Sequence, residues 1–142
     1  MFNQEEMLVM EDLVQRREQL NALGLIILKA SISVHQEMGP GLLESIYQQC
    51  MVKELINRGA SVAQNVPAPL YYKGEPLNKD YVIDLLVDNE IIIELKAVDE
   101  LLPIHEAQLL SYLKLANKKL GYLINFNVPL IKQGFHRFVN GF

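Results

Sequence analysis

The chain has 142 residues, half of them hydrophobic and 21% charged, with a formal net charge of −4 at pH 7. That length suits one domain with one core, and eight Gly and six Pro are too few for a fibrous or disordered chain. A lone cysteine, Cys50, excludes an intrachain disulfide or a cysteine-based zinc site, and the acidic balance argues against coating nucleic acid by bulk attraction.

Taken in chain order, Glu5 to Gln19 predicts a first helix, with Met7, Leu8, Met10, Leu13 and Val14 recurring at helical spacing. A second helix is expected from about Asn21 to Met38, carrying Leu23, Ile26, Ile27, Ala30, Val34 and Met38 as its apolar stripe. Gly39-Pro40-Gly41 should end it. A third helix, Leu42 to Arg58, buries Leu43, Ile46, Tyr47, Cys50, Met51 and Leu55, with Gly59 as C-cap. Val62 to Tyr72 contains two prolines and reads as an edge or interrupted strand. Lys73-Gly74-Glu75 is a turn, and Tyr81–Val87 and Ile91–Ala97 are the clearest strands. Pro103 to Asn117 is a helix with proline in its first turn. Gly121–Phe126 is a buried strand and Phe135–Val139 a further one. The order implies an α/β or α+β layered fold, helices flanking a central sheet. The acidic N-terminus (Glu5, Glu6, Glu11, Asp12) is unlike a signal peptide, and the apolar run Leu23–Ile32 is broken by Lys29 and too short to span a bilayer. A soluble cytoplasmic protein with no membrane role is the expectation.

The densest chemical signal runs from Asp84 to Lys96. Ionisable groups inside apolar strands are costly unless paired or metal-bound. Glu94 and Lys96, two residues apart, project from the same strand face. If Val87 pairs with Ile91 across a loop of Asp88, Asn89 and Glu90, Asp84 lies opposite Glu94; a two-residue turn would put Asp84 on the other face. The functional reading therefore requires the odd-length loop, with Asn89 or a neighbour at positive φ. The bland alternative is a buried ion pair of Lys96 with one carboxylate. Two acids against one lysine leave surplus negative charge, which favours a cation. Two carboxylates and the Leu95 backbone carbonyl suit Mg²⁺ or Mn²⁺. Such an ion lowers the pKa of a bound water and stabilises charge on a phosphate. Lys96 would orient the water or neutralise phosphoryl oxygens.

Asp84 followed by Glu94-x-Lys96 on the next strand resembles the PD-(D/E)XK nuclease signature. Gly41-Leu-Leu-Glu44-Ser-Ile-Tyr47 is GxxExxY, the motif that names the GxxExxY protein family within that superfamily, and Gln108-Leu-Leu-Ser-Tyr112 is similar to the QxxxY of RecB-like nucleases. The resemblance covers roughly Leu23 to Val139 and implies a PD-(D/E)XK-like mixed sheet flanked by helices over residues 21–142, with residues 1–20 as an additional helical extension. It implies metal ligation by Asp84, Glu94 and Glu44, the last directly or through water. It also implies water positioning by Lys96 and a site-lining role for Gln108 and Tyr112. The superfamily's proline before the aspartate is replaced by Ile83.

Each of these residues also has a plainer reading. Glu44 suits the start of a helix as a carboxylate facing the dipole, and Gln108 and Tyr112, one turn apart, could simply pack on the sheet. His35, eight residues before Glu44, could approach a metal, but the Gly-Pro-Gly break between them leaves no role to carry over. His105 and His136 read as surface or satisfied histidines and Cys50 as core, while Lys114, Lys118 and Lys119 could contact phosphates but read first as a solvated helix end. Two functions follow: a Mg²⁺- or Mn²⁺-dependent nuclease acting on nucleic acid, DNA favoured over RNA, or a catalytically silent nucleic-acid- or protein-binding module on the same fold. A third reading is an obligate dimer, a homodimer among them, or a subunit, with the amphipathic first helix covering a partner; a monomer could equally fold that helix onto itself.

Overall fold

Helix α1, Gln4–Met38, runs uninterrupted for 35 residues in the structure, a computed structural model that describes residues 1–142. The two helices expected on either side of Leu20 are therefore one. Gln19-Leu20-Asn21-Ala22 contains no breaker, and buried Leu20 carries the apolar stripe across the seam. Asn3 caps the start reciprocally with Glu6: its Oδ1 accepts from Glu6 N at 2.8 Å, and its own N–H donates to Glu6 Oε2 at 3.2 Å. No helix is long and apolar enough to cross a membrane.

Gly39 (φ 67°) and Gly41 (φ 96°) end α1 in backbone that other residues rarely adopt. Tyr47 of α2, Glu44–Asn57, then fixes that turn. Its hydroxyl donates to Gly39 O at 2.6 Å and accepts from Leu42 N at 3.1 Å, while its ring stacks on Phe126. Five strands follow: β1 (Val62–Tyr72), β2 (Glu75–Val87), β3 (Ile91–Lys96), β4 (Leu120–Asn125) and β5 (Phe135–Val139). They lie in the order 1-2-3-4-5, and only β3 and β4 are parallel, joined through α3 (Pro103–Leu115). This is the expected mixed sheet flanked by helices. β1 is an edge, as Pro67 and Pro69 require. β2 starts at Glu75, six residues before the predicted Tyr81, because Lys73 and Gly74 (φ 50° and 81°) turn the chain back tightly. The exposed polar run Glu75–Asp80 hides this half of the strand from a hydrophobic pattern.

Two apolar layers sandwich the sheet. On one face Ile27 of α1 and Tyr47, Met51 and Leu55 of α2 pack against Leu85, Val87, Ile91, Ile93 and Leu95. On the other, Leu109 and Leu113 of α3 cover Ile92, Leu123 and Leu86. β3 is buried on both faces, which explains its unbroken Ile91-Ile92-Ile93. β2 changes allegiance part-way along. Leu85 and Val87 face α1 and α2, whereas Ile83 and Tyr81, of the same parity, join the α3 side. The switch falls at Asp84, beside Asn65 of β1, whose φ is 49°.

At the far end of β4, a Cβ on Gly134 would collide with the backbone oxygen of Asn125. Gly134→Ala is expected to lower stability by about 1–3 kcal/mol, measured by urea denaturation.

Candidate active site

The β2–β3 turn sets the site's register. Asp88 (φ 49°) and Asn89 (φ 56°) carry the positive dihedrals, and Val87 pairs with Ile91 across Asp88, Asn89 and Glu90. Asp88 anchors the turn to the start of β1, its Oδ1 accepting from Ser61 N at 2.7 Å and Ser61 Oγ at 3.1 Å. The odd-length loop brings Asp84 level with Glu94 in register.

Backbone pairing of β2 with β3 stops at Leu85 and Ile93. Beyond it, side chains take over. Leu95 N–H donates to Asp84 Oδ2 at 2.8 Å, and Asp84 N–H donates to Glu94 Oε1 at 3.3 Å. The strands part where carboxylates replace carbonyls as acceptors. Lys96 O accepts from Phe126 N on the β4 side at 2.9 Å. By strand alternation, the Leu95 carbonyl then faces the parting between β2 and β3.

Both carboxyls are perturbed upward. Glu94, 9% exposed, is pushed up to about 8, first by burial and then by the charge of Asp84. Burial also raises Asp84, against the opposing Leu95 N–H bond and the Lys96 ammonium. Two desolvated like charges with one lysine cannot both stay ionised cheaply. Two carboxylates with an edge carbonyl form an all-oxygen donor set of the kind a hard divalent cation takes, and such a cation would relieve the repulsion.

Glu94 and Lys96 share the strand face of Ile92, towards α3. Tyr112 of α3 lies on that side, raised by burial and then by the charges of Glu94 and Asp84. Its ring stacks on Tyr81 at 4.3 Å, and Tyr81 OH donates to Tyr112 O at 3.2 Å. Burial raises Tyr81 too, followed by Tyr112 and Glu94. Sequence reasoning missed Tyr81, because three residues from Asp84 in a regular strand is the opposite face; the switch at Asp84 brings it in. Gln108, one turn before Tyr112, is exposed.

Glu44 is not brought into the carboxylate pair. It is exposed in the first turn of α2, and no third His, Cys, Asp or Glu joins Asp84 and Glu94 in a ligand cluster. Gln48, one turn further along, is the α2 residue that arrives. Its Nε2 donates to Asp84 O at 3.3 Å and to Asn65 Oδ1 at 3.0 Å. Asn125, buried and level with Lys96 on β4, holds the chain leaving β3: it accepts from Val98 N at 3.0 Å and donates to Val98 O at 2.9 Å. Neither was singled out from sequence; an amide on a helix face, for Gln48, and at a strand end, for Asn125, is the only signal.

Two of the histidines have structural partners. His35 Nε2 meets Val128 O at 2.8 Å, and His105 Nδ1 accepts from Leu102 N at 3.0 Å. Lys118 Nζ donates to Asn89 O at 2.8 Å, at the end of the sheet away from Lys96. Cys50 is half-buried against the core.

The sequence profile of the PD-(D/E)XK nuclease superfamily matches residues 21–138. The exposed N-terminal part of α1 lies outside that match. No curated protein and no solved structure matches the chain.

Folded Glu94 keeps its proton up to about pH 8, whereas an unfolded glutamate releases it near 4.5. Between those values the folded state binds more protons, so rising pH favours unfolding. Metal-free protein is expected to lose thermal stability from about pH 5 to pH 8, and Glu94→Gln is expected to flatten that slope. Melting curves in chelator across this range are the check.

Proposed function

Because the chain belongs to the PD-(D/E)XK nuclease superfamily, we propose that it is a divalent-metal-dependent nuclease hydrolysing phosphodiester bonds of nucleic acid, with DNA favoured over RNA. The observation that carries this reading is the desolvated Asp84–Glu94 pair at the parting of β2 and β3, both carboxyls raised and only Lys96 to offset them. The Gly41–Tyr47 pattern supports placing the chain in the GxxExxY group of that superfamily. Residues 21–142 would form the nuclease domain and residues 1–20 an extension to it. A cytoplasmic location suits the single free cysteine.

Asp84, Glu94 and the Leu95 carbonyl would hold Mg²⁺ or Mn²⁺, with Glu44 contributing from α2 through water. When bound, the ion supplies an acidified water and offsets charge on the scissile phosphate. Lys96, on the Glu94 face, orients the attacking water or donates to a non-bridging phosphate oxygen. Tyr112 and Gln108 line the α3 side of the approach. Gln48 holds the Asp84 backbone in place, and Asn125 fixes the chain just beyond Lys96.

A binding module without turnover is the second reading. It draws on Asp99 and Glu100, three and four residues after Lys96, which would repel the phosphate of a substrate, and on the net charge of −4.

Purified protein is expected to cut DNA only with Mg²⁺ or Mn²⁺. Asp84→Asn should abolish cleavage, and Lys96→Ala should reduce it by about 10²-fold or more, both with unchanged circular dichroism. Turnover assays on single- and double-stranded DNA and RNA are the check. A folded wild-type protein that cuts no polymer with either metal leaves the binding module as the reading.

A further inference from the structure

The first four turns of α1 stand clear of the rest of the chain. Residues 1–19 are all exposed. They are tied to the body only near their base, by Arg16 to Glu90 at 3.2 Å and Arg17 to Phe142 O at 3.2 Å. Yet Met7, Met10, Leu13 and Val14 form one apolar stripe at helical spacing, exposed by 51%, 45%, 52% and 52%. The segment continues a helix already nucleated and packed on the body, but this stripe is left open to solvent within one copy. Within its own chain only Leu13 borders the body, at a shallow pocket it shares with Gly141 and Phe142.

The charges along the segment indicate what covers it. Glu5 and Glu6 lie at the outer end; Arg16, Arg17 and Glu18 lie at the inner end, where Arg16 is held by Glu90 and Arg17 is the cation left to face a partner's carboxylate. A second copy running parallel would set like charge beside like. A second copy running antiparallel sets acidic end against basic end twice, once on each side of a two-fold axis. We infer that the protein forms a homodimer through antiparallel pairing of these N-terminal segments. Met10 packs against the partner's Val14, and Met7 lies along the stem of the partner's Arg17. Glu6 reaches the partner's Arg17, and Leu13 sits at the axis against the partner's Leu13. Glu11 meets the partner's Glu11 beside the axis, a repulsion eased by salt. The segment leaves the body at Glu90 and Phe142, whereas Asp84, Glu94 and Lys96 lie at the other end of β3. Pairing therefore leaves both sites open. This inference rests on α1 alone and is independent of the nuclease reading.

The chain of 16.2 kDa is expected to show twice that mass by light scattering at micromolar concentration. Met10→Asp with Val14→Asp should return it to the single-chain mass with the body's melting curve unchanged, since both side chains are exposed within one copy. In a Cys50→Ser background, Leu13→Cys should cross-link to itself on mild oxidation. Met7→Cys should not, because its antiparallel mate lies about 15 Å away along the axis. A wild-type monomer, or equal cross-linking at both positions, overturns the proposal.

Discussion

One hydrogen bond organises this molecule's chemistry: Leu95 N–H to the Asp84 carboxylate, at 2.8 Å. In a regular ladder a β2 carbonyl would accept that proton, and the strands would stay zipped to their ends. Here a side-chain carboxylate intervenes and the strands part. The parting turns the Leu95 carbonyl towards the opening and sets Glu94 against Asp84 with little water to screen either. A charge-assisted bond of this kind is roughly twice as strong as a neutral one, so it can hold the strands apart without loosening them. It also opposes the upward push of burial on Asp84, whereas burial and then the charge of Asp84 both raise Glu94, which divides the titration between two chemically similar groups.

Several distant contacts maintain that bond. The Asp88 cap on Ser61 fixes the turn length, and with it which residue opposes Glu94. Gln48 bonds the Asp84 carbonyl from α2, so the helix face that carries Glu44 is coupled to the strand that carries the aspartate. Asn125 replaces a missing ladder beyond Lys96. Tyr47, the last residue of the GxxExxY run, contributes by shape: its hydroxyl closes the Gly39–Leu42 turn, which sets where α2 begins. Gly41 and Tyr47, two of the motif's three fixed residues, are therefore scaffold, and Glu44 is the one left exposed.

Much of the fold was legible in the sequence because its signals are local. Gly39-Pro40-Gly41 ends a helix wherever it occurs, prolines confine β1 to an edge, and an apolar run as dense as Ile91–Ile93 has to be buried on both faces. The facing of Asp84 and Glu94 could be reasoned out because loop parity alone decides it. What stayed hidden depends on context. The continuity of α1 through Leu20 rests on the absence of a breaker, which a change in stripe composition disguised. The outer half of β2 is polar and exposed, so it gives no alternation. Tyr81 joins the α3 side only because β2 changes face at Asp84, and Gln48 and Asn125 act through amides that are indistinguishable from surface residues until the chain is folded. The spacing of GxxExxY placed Glu44 on a helix near the sheet, but could not say how far from the carboxylates it would stand.

The central claim is that Asp84, Glu94 and the Leu95 carbonyl together form a divalent-cation site. Crystals soaked in Mn²⁺ and measured at an anomalous wavelength test it most directly. The account requires a single strong anomalous peak about 2.0–2.3 Å from oxygens of all three residues. A peak elsewhere, or an Asp84–Glu94 pair left without one at saturating Mn²⁺, would contradict it.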